Sequence, residues 1–334
     1  MLISERHKVS RRRHERPRGR RPSRLALFYA KILIAAGLFA CIDVFFIVDI
    51  SLPDIDAIKA RPSASMVANG HVLRIDIETD DRVSFAALTV YHTAPVRVYP
   101  HPQANPGTSF ALVGIPYETV PRLDTLAVMW AVRDLVFALE LPVRIVAGPY
   151  RAETIEGVDQ SRVAPSTDDL KRIADERDII AKAYRVTRDS VMMDGPFFWP
   201  VENKVVTSPY GTRRVFNGQL RSVHGGLDLR AREGTPIFAA QSGVVRLAQN
   251  LFYAGNHVLI EHGMGVHSGY SHLSRIDVAV DQYVEKGQQV GLAGATGRVN
   301  AAHLHWTVSI HGVSVSPAQA FEMLDALFSA YPKT

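Results

Sequence analysis

The stretch His303-Leu-His305-Trp-Thr-Val-Ser-Ile310 reads as a strand that carries two imidazoles on one face. Residues two apart in a strand project to the same side, so His303 and His305 enter one cleft while Leu304 and Trp306 turn away from it. The same logic extends outward along the chain. Pro236-Ile-Phe-Ala-Ala240, Gly243-Val-Val-Arg-Leu247 and His257-Val-Leu-Ile-Glu261 are short apolar runs separated by glycines. That is the pattern of short antiparallel strands joined by tight turns, and it predicts a mostly β domain over 195–334.

Two further features fall in this domain. In His224-Gly-Gly-Leu-Asp228 the histidine and the aspartate are four apart, which would suit one helix face. Gly225 and Gly226 disfavour a helix and point to loop-to-strand geometry, although spacing alone leaves this open. Tyr270-Ser-His272 lies between the other two motifs, and eight of the thirteen histidines fall between His224 and His311. Any one of these features is better explained by a surface histidine or a turn-capping carboxylate; three in one domain point instead to a metal site. Imidazole and a single carboxylate, with no thiolate in the domain, suit zinc. Three protein ligands leave a fourth position for a water whose pKa zinc lowers toward roughly 7, while the metal polarises a carbonyl. The chemistry is hydrolysis. His224, Asp228, His272, His303 and His305 exceed what tetrahedral zinc needs, so some must act as base or as donor to the transition-state oxygen, and spacing does not say which. His257, His262, His267 and His311 flank turns and read as surface or hairpin residues. Arg213 could hold a substrate carboxylate or brace a loop.

Upstream, Pro165-Ser166-Thr167 opens a connecting helix within 165–190, capped by Ser166 or Thr167, with Asp168 and Asp169 in its first turn. Leu170, Ile173, Ala174, Ile180, Ala181 and Tyr184 form its apolar stripe. Over 63–155, Val72-Leu-Arg-Ile-Asp-Ile77, Ser109-Phe-Ala-Leu-Val-Gly-Ile115 and Pro142-Val-Arg-Ile-Val146 predict a small β domain with a positioning or regulatory role. His71, His92 and His101 are scattered through it and suggest no cluster.

The net charge of +5 conceals an asymmetry, because residues 1–24 hold ten Lys/Arg against Glu5 and Glu15. That tail is +8, leaving the remaining 310 residues at −3. The folded part is therefore not basic overall, which argues against nucleic acid as a partner. Residues 25–50 are apolar apart from Lys31, Asp43 and Asp49, and a helix of that length crosses roughly 30 Å of hydrocarbon. The arginine excess before it predicts a single-pass inner-membrane anchor with a cytoplasmic 1–24 tail and a periplasmic remainder. A cleaved signal peptide with core Ile32 to Ile42 is the rival reading, and continued apolarity through Val48 argues for retention. Lipidation at Cys41 would place bulky Phe39 where small residues are usual. Cys41 is the sole cysteine, so no intramolecular disulfide forms.

His-Gly-Gly-Leu-Asp228, Tyr-Ser-His272-Leu-Ser and Ala-Thr-Gly-Arg-Val-Asn-Ala-Ala-His-Leu-His305-Trp together resemble the lysostaphin/LytM-type zinc metallopeptidases, which cleave peptidoglycan peptides. The likeness spans 207–317 and includes Ser208-Pro-Tyr-Gly-Thr-Arg, Gly234-Thr-Pro-Ile, Ser242-Gly-Val-Val, Val284-Glu-Lys-Gly-Gln and Gly291-Leu-Ala-Gly-Ala-Thr-Gly. The resemblance implies a LytM-type antiparallel β domain in which His224, Asp228 and His305 hold one Zn2+. His272 and His303 become the non-ligand catalytic pair, and peptidoglycan becomes the substrate. The first β domain together with Arg214-Val-Phe-Asn-Gly-Gln resembles the Gram-negative subset with an extra N-terminal β domain. Ser268-Gly-Tyr270 and Ala301-Ala302 depart from the usual family pattern at cleft-lining positions. A catalytically silent member of the fold that activates another wall hydrolase, through a regulatory protein partner, is the alternative; all five site residues are present, which favours the enzyme.

Overall fold

One strand of the N-terminal region, Thr108–Gly114, is apolar on both faces, and this sets the layering of the molecule. The computed structural model describes residues 58–80, 89–101, 107–132 and 135–329. The basic tail, the expected anchor at 25–50 and Cys41 lie outside the described residues. Among the described residues, no helix is long and apolar enough to cross a membrane.

A four-stranded sheet orders Ile58–Pro62, Val72–Thr79, Thr108–Gly114 and Tyr99–Pro100. A five-stranded sheet orders Met66–Ala68, Leu135–Val146, Arg122–Val132, Thr89–Tyr91 and Pro95–Arg97. Leu73, Ile75, Ile77, Ala111 and Val113 pack against Leu126, Val128, Val143 and Ile145 of the second sheet. The alternate residues Val72, Phe110 and Leu112, with Tyr99, join a different core that includes Leu227, Val308, Ile310 and Leu324. The four-stranded sheet is thus buried on both sides along Thr108–Gly114, each fully enclosed Leu or Phe contributing roughly 1.5–3 kcal/mol. Hydrogen bonds seal the seam: Val72 N–H donates to Gln319 Oε1 at 2.8 Å, Gln319 Nε2 donates to the Val72 carbonyl at 3.0 Å, and Ser316 N–H donates to the Gly70 carbonyl at 2.7 Å.

The C-terminal sheet runs Val206–Ser208, Leu227–Leu229, Leu304–Ile310, Val266–Ile276, Gly255–Glu261, Gly243–Leu251 and Tyr283–Val284, with antiparallel neighbours throughout. Val313–Val315 folds back on Leu304–Ile310, and helix Pro317–Ser329 covers the core through Ala320, Leu324 and Leu327. Ala152–Ile155 lies parallel beside Arg213–Phe216, the first strand of a hairpin completed by Leu220–Val223. The segment between the two cores therefore forms part of the sheet work at the edge of the cleft.

The expected helix forms at Thr167–Arg185, with Ser166 as its cap and a reciprocal Ser166–Asp169 capping box. Its contact face is narrower than the apolar stripe suggests. Ile173 and Ala183 are buried, and Ile180 and Tyr184 pack on Leu247, Leu251 and Leu259, while Leu170 is 55% exposed. One flat strand pair can cover only one edge of a helix, so Leu170, Ala174 and Ala181 face outward.

The histidines expected at the surface are the clearest departure from the sequence reading. His257, His262 and His267 are buried. His262 is neutral by construction of its network. Its Nδ1–H donates to the Ser242 carbonyl at 2.9 Å and its Nε2 accepts from Ser268 Oγ at 2.7 Å; Ser268 accepts from Tyr270 Oη at 2.8 Å, and Tyr270 accepts from Ala240 N–H at 2.7 Å. A proton on Nε2 would reverse that chain. Burial pulls the His262 pKa from 6.5 to about 4, against the opposing pull of the Ser242 carbonyl. Because the folded value is depressed, the unfolded state binds more protons between pH 6.5 and about 4. Stability is therefore full above pH 6.5 and is lost as pH falls toward 4, by up to roughly 3 kcal/mol for this group. In urea titrations across that window, the stability advantage of the parent over His262→Gln should shrink by about that amount. Parallel pH curves would mean that His262 is not titrating.

Candidate metal centre

Register brings the ligand candidates together. Strand Leu227–Leu229 pairs with Leu304–Ile310 so that Asp228 stands directly opposite His305, and opposed residues of an antiparallel pair have Cβ atoms about 4.5–5.5 Å apart. Their alternates Leu227, Leu229, Leu304 and Trp306 enter the core. His224 follows the hairpin strand Leu220–Val223 and is pinned by its own N–H donating to the Thr212 carbonyl at 2.9 Å. Gly226 must be glycine. A Cβ there would stand 2.6 Å from the Trp306 carbonyl oxygen and 2.7 Å from His305 Cε1, blocking the imidazole from its place.

His224 Nε2 lies 2.9 Å from Asp228 Oδ1 and 2.9 Å from His305 Nδ1, and His305 Nδ1 lies 2.8 Å from Asp228 Oδ1. Among the described residues these three form the one group of such donors that could hold an ion. The fit can be tested on the protons. His224 Nδ1–H donates to the Pro209 carbonyl at 2.8 Å, which leaves a lone pair on Nε2 aimed at a carboxylate oxygen. Facing acceptors at such distances repel unless a cation lies between them, and a backbone carbonyl on the far ring nitrogen is the usual partner of a metal-ligating histidine. Zinc at 2.0–2.2 Å from each donor would spread the triangle to about 3.3 Å, a displacement of a few tenths of an ångström. The residues fit the ion.

Asp228 is also held from its outer side. Arg214 Nη2 donates to its Oδ2 at 2.5 Å, Arg214 Nε donates to Glu153 Oε1 at 2.6 Å, and Ser208 Oγ donates to the same oxygen at 2.9 Å. Oδ1 is thereby left facing His224 and His305. Burial pushes the Asp228 carboxyl up, but the imidazoles of His224, His303 and His305 around it outweigh this and hold its pKa well below the ordinary range. Burial takes His305 down to about 4, against the pull of Asp228. The sequence singles out Arg213, which is exposed; hairpin alternation turns Arg214 inward instead.

His272 and His303 meet beside the triangle. Their ring centres are 4.9 Å apart, and the His272 ring is 5.7 Å from that of His305. Each donates Nδ1–H to a backbone carbonyl at 2.8 Å, His272 to Thr296 and His303 to Ala301, so each presents Nε2 to the cleft. His303 Nε2 is 3.5 Å from Asp228 Oδ1. Simple alternation would bury His272 with Tyr270. A bulge prevents this: the pairing of Val266–Ile276 with Gly255–Glu261 slips between Asn256 and Val258, and His272 takes φ +64°. Both Ser271 and His272 consequently line the cleft. The cleft has two lobes, of about 430 Å³ and 260 Å³, which share Arg214, Phe216, His272 and Arg298.

Residues 222–317 match the model of peptidase family M23. The chain is similar to peptidoglycan DD-endopeptidase ShyA of Vibrio cholerae, 37% identical over 137 residues that make up 40% of this chain and 31% of that protein. It is also similar to the DD-carboxypeptidase/endopeptidase Mpg of Neisseria meningitidis serogroup B, 36% identical over 112 residues, 34% of this chain and 26% of that one. The chain thus spans about a third or less of the length of these curated relatives. A solved peptidase M23 structure from Pseudomonas aeruginosa superposes with a TM-score of 0.55 and 28% identity, covering 76% of this chain and 94% of the other. Coverage of that extent cannot be filled by residues 195–329 alone, so the likeness takes in part of the N-terminal sheets. Residues 222–317, which carry His224, Asp228 and His305, are thus a peptidase M23 domain of the lysostaphin/LytM type.

Proposed function

We propose that this chain is a zinc endopeptidase that hydrolyses peptide cross-links or stem peptides of peptidoglycan in the periplasm, with residues 25–50 as its inner-membrane anchor. The observation that carries the reading is the convergence of three metal donors beside two histidines whose Nε2 atoms face the same cleft. Held by His224, Asp228 and His305, zinc would supply a Lewis acid for the scissile carbonyl and an activated water. His272 accepts the proton at Nε2, because its Nδ1–H is fixed on Thr296. His303, with Asp228 Oδ1 beside its Nε2, is suited to carry positive charge next to the developing oxyanion. Proton delivery to the departing amine then comes from the same pair. The peptidoglycan endopeptidases among the curated relatives support peptidoglycan as the substrate class.

Mass spectrometry of dimeric muropeptides incubated with the full-length protein tests this reading. Dimers should become monomers with the gain of one water, a chelator should stop the conversion, and added zinc should restore it. Dimers unchanged under every metal condition would reject the enzyme in favour of a non-hydrolytic partner of another wall hydrolase.

A further inference from the structure

Arg298 stands on the loop that leads from strand Gln289–Ala293 to His303, and it lines both lobes of the cleft together with His272. Its guanidinium carbon lies 4.7 Å from the centre of the Phe216 ring and 4.4 Å from that of Tyr253. The two aromatic faces fix the cation and favour it electrostatically. They accept none of its N–H bonds. Among the described residues, no carboxylate or carbonyl receives a hydrogen bond from this side chain, whereas its neighbour Arg214 is committed to Glu153 and Asp228. Burial, opposed by Tyr253 and reinforced by the charge of Arg214, pushes the Arg298 pKa down from its ordinary value. The cation is therefore partly desolvated, oriented and without an anion.

A guanidinium fork in that condition matches one class of ligand, a carboxylate, which can accept two parallel N–H bonds. We propose that Arg298 binds a free carboxylate of the substrate peptide and so selects acidic over amidated cross-links, an assignment that rests on the peptidase reading above. A cross-link through diaminopimelate keeps a free carboxylate on the carbon that bears the scissile nitrogen, whereas a cross-link through lysine does not. The chain end of a stem peptide offers the same group from a second position. Loop bracing is the competing role, and it predicts no dependence on substrate charge.

The test compares muropeptide dimers that are fully acidic, amidated only at the carboxylate beside the scissile amide, or amidated only at the chain end. The full-length parent should prefer the acidic dimer to one of the amidated forms by roughly 10- to 100-fold in kcat/KM, and the form that loses identifies the source of the carboxylate. In Arg298→Gln that acid-to-amide ratio should collapse toward one, and Arg298→Lys should recover part of it by keeping charge without the fork. Zinc content equal to the parent's shows that the variants retain the site. A ratio unchanged in Arg298→Gln, or a parent that does not discriminate, overturns the proposal. Calorimetry with a reduced-amide dimer reads the same ratio in binding. A parent that binds the acidic form selectively but hydrolyses nothing would sink the peptidase reading and leave Arg298 as the carboxylate site.

Discussion

Replacing Asp228 with alanine should lower the rate of dimer hydrolysis by at least about three orders of magnitude, as should His305→Ala, because each removes a ligand from a three-donor site. The two variants should nevertheless differ in stability. His305 leaves behind a cavity in the cleft, whereas Asp228 is also the buried counter-ion of Arg214. Taking one partner out of such a pair costs about 3–5 kcal/mol, since the remaining charge is left uncompensated; here Glu153 still holds Arg214 Nε, so the expected cost is toward the lower end. Asp228→Ala should therefore unfold at lower urea than His305→Ala, by roughly 2–3 kcal/mol. Adding Arg214→Leu to Asp228→Ala should recover much of that stability and none of the activity. Chelator should lower the melting temperature of the parent and leave both single variants unmoved, since only a protein that binds the ion is stabilised by it. Equal stabilities, or a chelator response that persists in either variant, would contradict the ligand assignment.

The parts of the site visible in the sequence are those set by local periodicity. His303-Leu-His305 declares a strand with two imidazoles on one side because the strand period is two, and Gly225-Gly226 turns His224 and Asp228 from a helix pair into a loop and a strand. The features hidden from the sequence are set by register with distant segments. The turn of His272 into the cleft depends on a bulge against Gly255–Glu261, and nothing in Tyr270-Ser-His272 announces φ +64°. Arg214 meets Glu153 only because Ala152–Ile155 pairs in parallel with Arg213–Phe216 across 61 positions of sequence. Histidines near glycines look exposed because glycine marks turns; the burial of His262 depends on Ser242, Ser268 and Tyr270, which separate segments bring together. One signal of the layering does stand in the sequence. Ser109-Phe-Ala-Leu-Val113 is continuously apolar after its serine rather than alternating, which is how a strand buried on both faces looks, and its even positions pack on the core of the C-terminal sheet.

The proposed mechanism separates catalysis, at His272 and His303, from metal binding, and their replacement should expose that division. His272→Ala and His303→Ala should each lower kcat by roughly 10²- to 10⁴-fold while retaining zinc at the parent's stoichiometry, because neither ring belongs to the three-donor group. The losses should not multiply. In the proposed mechanism both rings act on the same attack step, His272 on the proton and His303 on the oxyanion, and with ring centres 4.9 Å apart the second substitution acts on a step the first has already disabled. The double variant should fall within about tenfold of the weaker single variant. KM should change little, since both rings act on the reacting state rather than on peptide binding. Measuring kcat, KM and bound zinc for the parent, both single variants and the double variant decides the matter. Zinc lost in either single variant would move that histidine into the coordination sphere. Full multiplication of the two effects would give the rings separate duties on separate steps, and turnover at the parent rate would remove the ring concerned from the mechanism.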